Sequence, residues 1–256
     1  MRSDAEFEVP PASVCTRCGS SICDGCYAPA ASLPKSVIAW EAPGPLSARL
    51  WSTARASALV PELVFGKLRD GPVLAACSFA LVVELCALGS LALVGLAFGF
   101  LVAPDVAGAV VTTVASNGPL ACAVVAAVPV LAAVMVGLHA FWGITLELGA
   151  KLAGADWRFA RGLRFAFYSC GWDLLTSPAG LVFGCVSGGA SRAWRDTMSA
   201  ARVPRTAMDA YLLLSRELSP ARVIRARRLA VLITAGPVSF AILAMVWLTV
   251  ATILPG

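Results

Sequence analysis

The sequence predicts an all-α integral membrane protein of five transmembrane helices, the third and fourth a short hairpin, with interfacial amphipathic helices and a small N-terminal zinc knuckle. Three observations carry that expectation. Hydrophobic residues make up 59% of the chain and charged residues 14%, where a soluble globular domain has about 45–50% and about 25%. Apolar runs of spanning length begin at Val73 and recur to the C-terminus. The twenty Lys and Arg residues fall into three segments, so that alternate connections between the runs carry no positive charge.

A helix needs roughly 20 apolar residues to cross about 30 Å of hydrocarbon. Val73–Val102, interrupted only by Glu84, meets that length, as does Leu120–Leu148, which carries only His139 and Glu147. Leu229–Leu254 has no charge at all. Between the last two lies Leu163–Ser191, broken in its middle by Thr176-Ser177-Pro178. Its halves are short, and flanking arginines lengthen each leg by snorkelling. It is read as a hairpin of two spans, with a shallow re-entrant hairpin as the alternative.

Short loops rich in Lys and Arg stay on the cytoplasmic side. Residues before Val73, the 151–164 loop and the 192–228 segment hold every basic residue, whereas Ala103–Pro119, Thr176–Pro178 and the C-terminal Pro255-Gly256 hold none. The localisation that follows is a multi-pass membrane protein with a cytoplasmic N-terminus and its C-terminus on the opposite side. Three regions result: a tail of residues 1–35, an amphipathic interfacial segment of residues 36–72 and a membrane domain of residues 73–256. The tail opens on Asp4, Glu6 and Glu8 and has no secretory leader pattern. Leu46–Leu68 and Val203–Leu218 show apolar residues at helical spacing with charges on the other faces, the pattern of helices lying at headgroup level.

One motif carries specific chemistry. Cys15, Cys18, Cys23 and Cys26 form two Cys-x-x-Cys turns within twelve residues. Two such turns supply the four thiolates of a closed tetrahedral zinc site. Four residues between the pairs leave no room for a core, so the expected product is a small metal-knotted tip. An iron–sulfur cluster and unligated or redox-active thiols are the alternatives. Cys77, Cys86, Cys122, Cys170 and Cys185 sit singly in apolar runs and read as small packing residues.

Ionisable residues inside apolar helices are functional candidates because burying them is costly. Glu84, His139 and Asp173 are those candidates, and they form a proton or cation path if they converge. The plainer reading has them satisfied by one another or by the backbone, with Glu147 reaching water. The spacings Gly95-x3-Gly99 and Gly180-x3-Gly184 permit close helix approach and self-association. No nucleotide loop, zinc-protease helix, serine elbow or carboxylate pair is present, so no catalytic residue is assigned and no enzymatic activity is expected.

From His139 onward the layout resembles the Yip family, five-span membrane proteins named for interacting with Rab-type GTPases. The resemblance rests on His139 with Leu146 and Gly149, the Arg161-Gly-Leu-Arg-Phe-Ala-Phe-Tyr168-Ser169 entry, the broken stretch to Gly184 and Trp194, the Arg202-Val-Pro-Arg-Thr-Ala207 connector and an uncharged last helix. It covers about Leu46 to Leu254, and some bacterial relatives carry a comparable cysteine knuckle. Asp173 and the Arg-dense 192–228 stretch depart from the family's apolar pattern. The function expected on these grounds is a non-catalytic membrane organiser that docks a cytoplasmic protein through a zinc (Zn2+) tip. The alternative is a small transporter or ion-conducting subunit. Expected partners are the lipid bilayer, a cytoplasmic protein and a second copy of the chain, but not nucleic acid.

Overall fold

The structure, a computed structural model, describes residues 38–200 and 203–253. The chain divides into two units, Met1–Ser36 and Val37–Gly256, and the described residues lie in the second. Every regular element among them is helical. A 3-10 turn at Ala39–Glu41 precedes α1 (Leu46–Leu59), α2 (Pro61–Phe65), α3 (Val73–Val102), α4 (Pro104–Ser116) and α5 (Gly118–Leu152). Then follow α6 (Phe159–Ser169), α7 (Gly171–Thr176), α8 (Pro178–Gly188), α9 (Ala190–Ala200), α10 (Val203–Ala210), a π-helical turn at Tyr211–Ser215 and α11 (Pro220–Ile253).

Local chemistry sets several of these boundaries. Proline opens α2, α4, α8 and α11, where its missing N–H costs nothing. The Asn117 carboxamide oxygen accepts a hydrogen bond from the Leu120 amide at 3.1 Å and caps α5. The Ser177 hydroxyl oxygen does the same for α8, accepting from the Gly180 amide at 3.3 Å. Gly189, at φ +81°, ends α8 in a conformation that side chains rarely adopt.

The expected five spans are not found among the described residues. Among the described residues two helices, α3 and α5, are long and apolar enough to cross a membrane by length and composition. Leu163–Ser191 runs through most of α6, all of α7 and α8 and the start of α9 rather than forming a transmembrane hairpin. The longest piece lying wholly within it, α8, has 11 residues, about 16 Å of helix. Its apolar residues have another use: Phe165, Phe167, Tyr168, Leu174 and Leu175 form part of the helix-packed core. Apolar runs report burial without saying whether protein or lipid provides it. With the span count gone, the assignment of termini to opposite sides of a membrane, the five-span Yip-like layout, and the organiser and transporter readings built on them lose their basis.

The segments read as interfacial are also different. Leu50, Ala54, Ala58, Val64 and Phe65 of α1 and α2 are buried in the same core as α3 and α6, and so are Tyr211 and Leu212. Ala103–Pro119, read as a loop, is helical over α4 and buries none of its residues. Large apolar side chains are exposed along the adjoining halves of α3 and α5, with Leu101 81% and Val125 75% accessible.

Two aromatic ladders organise the core. Trp40 packs edge-on against Phe79 at 5.5 Å, and Phe79 against Tyr168 at 5.4 Å. Phe65, Phe165 and Tyr211 form the second, at centroid separations of 4.8 and 4.6 Å. Each ladder ends on an ion pair. Glu41 accepts hydrogen bonds from Arg164 and, at 2.6 Å, from the Tyr168 hydroxyl. Glu147 is fully buried and accepts from the Tyr211 hydroxyl and from the Arg158 amide at 3.1 Å, with Arg216 Nε 3.2 Å away. Glu147 therefore does not reach water. Burial, and then the neighbouring carboxylate, raises the pKa of both tyrosines, so both hydroxyls remain donors. On the surface Asp70 accepts from Arg161, whose hydrogen bonds hold its carboxyl below the ordinary value. That contribution is present above the unfolded pKa and fades as pH falls through the folded one.

Close helix crossings depend on glycine. A Cβ on Gly143 would lie 2.7 Å from the Ala166 Cβ, and one on Gly149 would run into the Ala226 carbonyl oxygen of α11. Gly149→Val should therefore destabilise the chain by about 2 kcal/mol or more in thermal or chemical unfolding, because backbone cannot yield as a side chain can. Gly95→Ala, where nothing lies within 4 Å, should leave stability unchanged or raise it by up to about 1 kcal/mol. Equal losses for the two would contradict the crossing.

Candidate metal centre

Three segments converge on one side of the core. In α3 the buried stripe is Ala76, Phe79, Ala80, Val83, Glu84 and Ala87, the spacing of one helix face, so Glu84 is carried inward by its neighbours. In α5 the inward positions Ala132, Val136 and Gly143 bracket His139 at offsets of seven, three and four. Cys170 joins α6 to α7, and Asp173 follows three residues later, which puts both side chains on one face. The short α7 is held by close packing: a Cβ on Gly171 would lie 2.7 Å from the Ala54 Cα of α1.

The geometry centres on one imidazole nitrogen. His139 Nε2 is 3.0 Å from Glu84 Oε1 and 3.2 Å from Asp173 Oδ2. The four donor atoms of Glu84, His139, Cys170 and Asp173 all lie within 4.8 Å of one another. Glu84 and Cys170 are buried, while the side chains of His139 and Asp173 keep 20% and 16% of their accessibility and form the mouth. One Nε2–H cannot serve two carboxylates well. The buried Asp173 Oδ2 has no hydrogen-bond partner among the described residues, although it sits beside that nitrogen. The Cys170 thiol donates to the Ala166 carbonyl at 3.5 Å, and burial pushes its pKa up to about 11.

A buried cluster of this composition can coordinate a metal ion. Zinc bonds of about 2.0–2.1 Å to N and O at tetrahedral angles put donors about 3.3 Å apart, close to the separations around His139. A divalent cation would balance both carboxylates and give Asp173 Oδ2 the partner it lacks. Without one, a protonated His139 hydrogen-bonds Glu84 and faces Asp173 through charge, which ties α3, α5 and α7 less directly.

Of the residues singled out from the sequence, Glu84, His139 and Asp173 do come together. Cys170 was missed, because a lone cysteine in an apolar run reads as packing. Its spacing to Asp173, a Cys-x-x-Asp in the middle of an apolar stretch, was the available signal. Cys77 and Cys86 are half-buried, whereas Cys122 and Cys185 are exposed. Cys15, Cys18, Cys23 and Cys26 lie outside the described residues.

No family model, curated protein or solved structure matches this chain. The resemblance to the Yip family is therefore set aside, since neither its five-span layout nor any family match supports it, and its zinc-tipped organiser role goes with it.

Cysteine reactivity provides a check on the site's burial. At fixed pH a thiol with a pKa near 11 holds roughly a hundredfold less thiolate than an ordinary one. Alkylation followed by mass spectrometry should label Cys122 and Cys185 rapidly at pH 8 and leave Cys170 unmodified until the chain unfolds. Labelling of Cys170 at the rate of Cys122 would show that the site is open.

Proposed function

We propose that this chain is a metal-binding protein in which Glu84, His139, Cys170 and Asp173 hold one divalent transition-metal ion as a structural clasp between α3, α5 and α7. The observation that carries the reading is the convergence of four donors from three separate segments on one buried point, with a carboxylate oxygen there lacking a hydrogen bond. The donor set favours zinc. Calcium and magnesium prefer all-oxygen shells, whereas zinc accepts thiolate, imidazole and carboxylate together. Four protein donors on one zinc leave no position for water, so the role is structural rather than catalytic.

Metal binding of this kind has a proton cost, since Cys170 must lose its proton and His139 must be neutral. For each proton displaced, apparent affinity falls about tenfold per unit decrease in pH. Zinc affinity should therefore fall as pH drops from 8 to 6.

The full chain with Cys15, Cys18, Cys23 and Cys26 all replaced by Ser should copurify with, or take up, one zinc per chain by elemental analysis. His139→Ala in that background should remove it and abolish a zinc-dependent rise in Tm of several degrees. If the four-Ser chain binds no metal, or if His139→Ala keeps full stoichiometry, the cluster is a metal-free ion triad and the reading is wrong.

A further inference from the structure

A different surface, independent of the metal centre, carries a second reading. Helices α5 and α11 cross where Gly149 meets the Ala226 backbone. That crossing fixes what lies just beyond it. Lys151 lies in the last turn of α5, on a different face from Gly149, and Arg222 is one turn back along α11 from Ala226. Gly154, at φ +97°, turns the chain after α5, and a Cβ there would lie 3.5 Å from Arg222 Nη1. Arg222 thus reaches the 153–158 connection at Gly154, and Lys151 Nζ reaches the same connection at the Trp157 ring, 5.7 Å from its centroid.

Lys151 and Arg222 make no ion pair among the described residues, and the same holds for Arg225 and Arg228, which continue the Arg222 stripe at three-residue spacing. All four are exposed. Arg227, between them, is already paired with Asp209 at 2.8 Å. Asp209 is held by Arg227, and Asp70 by Arg158 and Arg161, which leaves Asp156 in the turn and Glu217 before α11 as the further acidic residues of these segments, so the balance stays positive.

Bulky apolar groups stand beside these charges. Trp157 and Phe159 stack at 6.2 Å and remain 42% and 45% exposed, and Lys151 Nζ lies 5.7 Å from the Trp157 ring centroid. Leu152 is 52% exposed. Unpaired cations next to an exposed aromatic pair match a surface of negative charge over an apolar layer: the cations meet phosphates while the rings enter the boundary between headgroups and acyl chains. A free phosphate would use the cations and leave the rings in water. Duplex nucleic acid has no apolar layer for a stacked Trp–Phe pair to enter.

We infer that the turn joining α5 to α6, together with the first turns of α11, is a docking surface for an anionic phospholipid bilayer, engaged through Lys151, Arg222, Arg225 and Arg228 with Trp157 and Phe159 as anchors. Each such cation contributes about fivefold in affinity near an anionic leaflet, and the contribution is screened by salt.

The test uses the full-length protein and two kinds of vesicle, phosphatidylcholine alone and about three parts phosphatidylcholine to one part phosphatidylserine. Neutral vesicles report any binding by exposed apolar surface elsewhere, including α3 and α5, and set the baseline. Phosphatidylserine should strengthen binding at least about tenfold over that baseline at low salt, with most of the gain lost at high salt. Lys151→Gln/Arg222→Gln should remove about tenfold or more of the gain, Lys151→Arg/Arg222→Lys should retain it, and Trp157→Ala/Phe159→Ala should weaken binding to the anionic vesicles without changing its salt slope. The inference fails if phosphatidylserine adds nothing, or if the double Gln variant binds like the parent. It also fails if inorganic phosphate at matched ionic strength, or duplex DNA, displaces the protein from the vesicles, since either would identify a free-phosphate or nucleic-acid surface instead.

Discussion

The placement of His139 between two carboxylates is the constraint on which the rest of the arrangement depends. An imidazole 3.0 Å from Glu84 and 3.2 Å from Asp173 brings charge into an apolar interior, where an uncompensated ion is costly. Compensation requires α3, α5 and α7 to stay in register at once. The short α7 is too small to hold itself in place. It is fixed by packing on α1 through Gly171, by the Ser177 elbow into α8, and by the polar contacts of Asp173. A metal ion at the cluster would replace a shared proton with coordinate bonds and tie the same three elements more tightly.

The remaining buried charges follow the same rule. Glu147 and Glu41 each sit at the end of an aromatic ladder, and each is met by an arginine and a tyrosine hydroxyl. Breaking such a pair from one side costs about 3–5 kcal/mol, because the partner stays buried and charged. These networks also explain the conformation around residue 216. The π-helical turn places the Tyr211 hydroxyl and the Arg216 guanidinium on the same carboxylate, and Glu217 follows at φ 53° to redirect the chain into α11. The Ser215 hydroxyl, donating to the Leu68 carbonyl at 3.1 Å, fastens that irregular stretch to the segment before α3.

Helix positions were legible where the signal is local. The apolar run Val73–Val102 is one helix, and the prolines and Asn117 mark starts that follow from backbone chemistry alone. Glu84, His139 and Asp173 stood out because charge in an apolar run is conspicuous. Their meeting was not readable, since it depends on the packing of helices separated by 55 and 34 residues. Cys170 was overlooked for the opposite reason: a cysteine among apolar residues draws no notice until its neighbours are known. The larger misreading concerned where apolar residues go. Phe165, Leu174 and Leu175 look like membrane-facing residues in a hydropathy profile and are buried against protein instead. Leu50, Val64 and Tyr211 look like one side of a surface helix, yet they meet in one core. Hydropathy along a chain does not distinguish these cases, because both environments exclude water equally.

If Glu84, His139, Cys170 and Asp173 share one metal ion, its coordination shell holds one sulfur, one imidazole nitrogen and carboxylate oxygens. Zinc K-edge X-ray absorption on the zinc-loaded full chain, with the four N-terminal cysteines replaced by serine, addresses it most directly. The account predicts one sulfur scatterer at about 2.3 Å and three nitrogen or oxygen scatterers at about 2.0–2.1 Å, with the imidazole outer-shell signal. A shell of six oxygens without sulfur or imidazole, the signature of loosely held hydrated zinc, would contradict it.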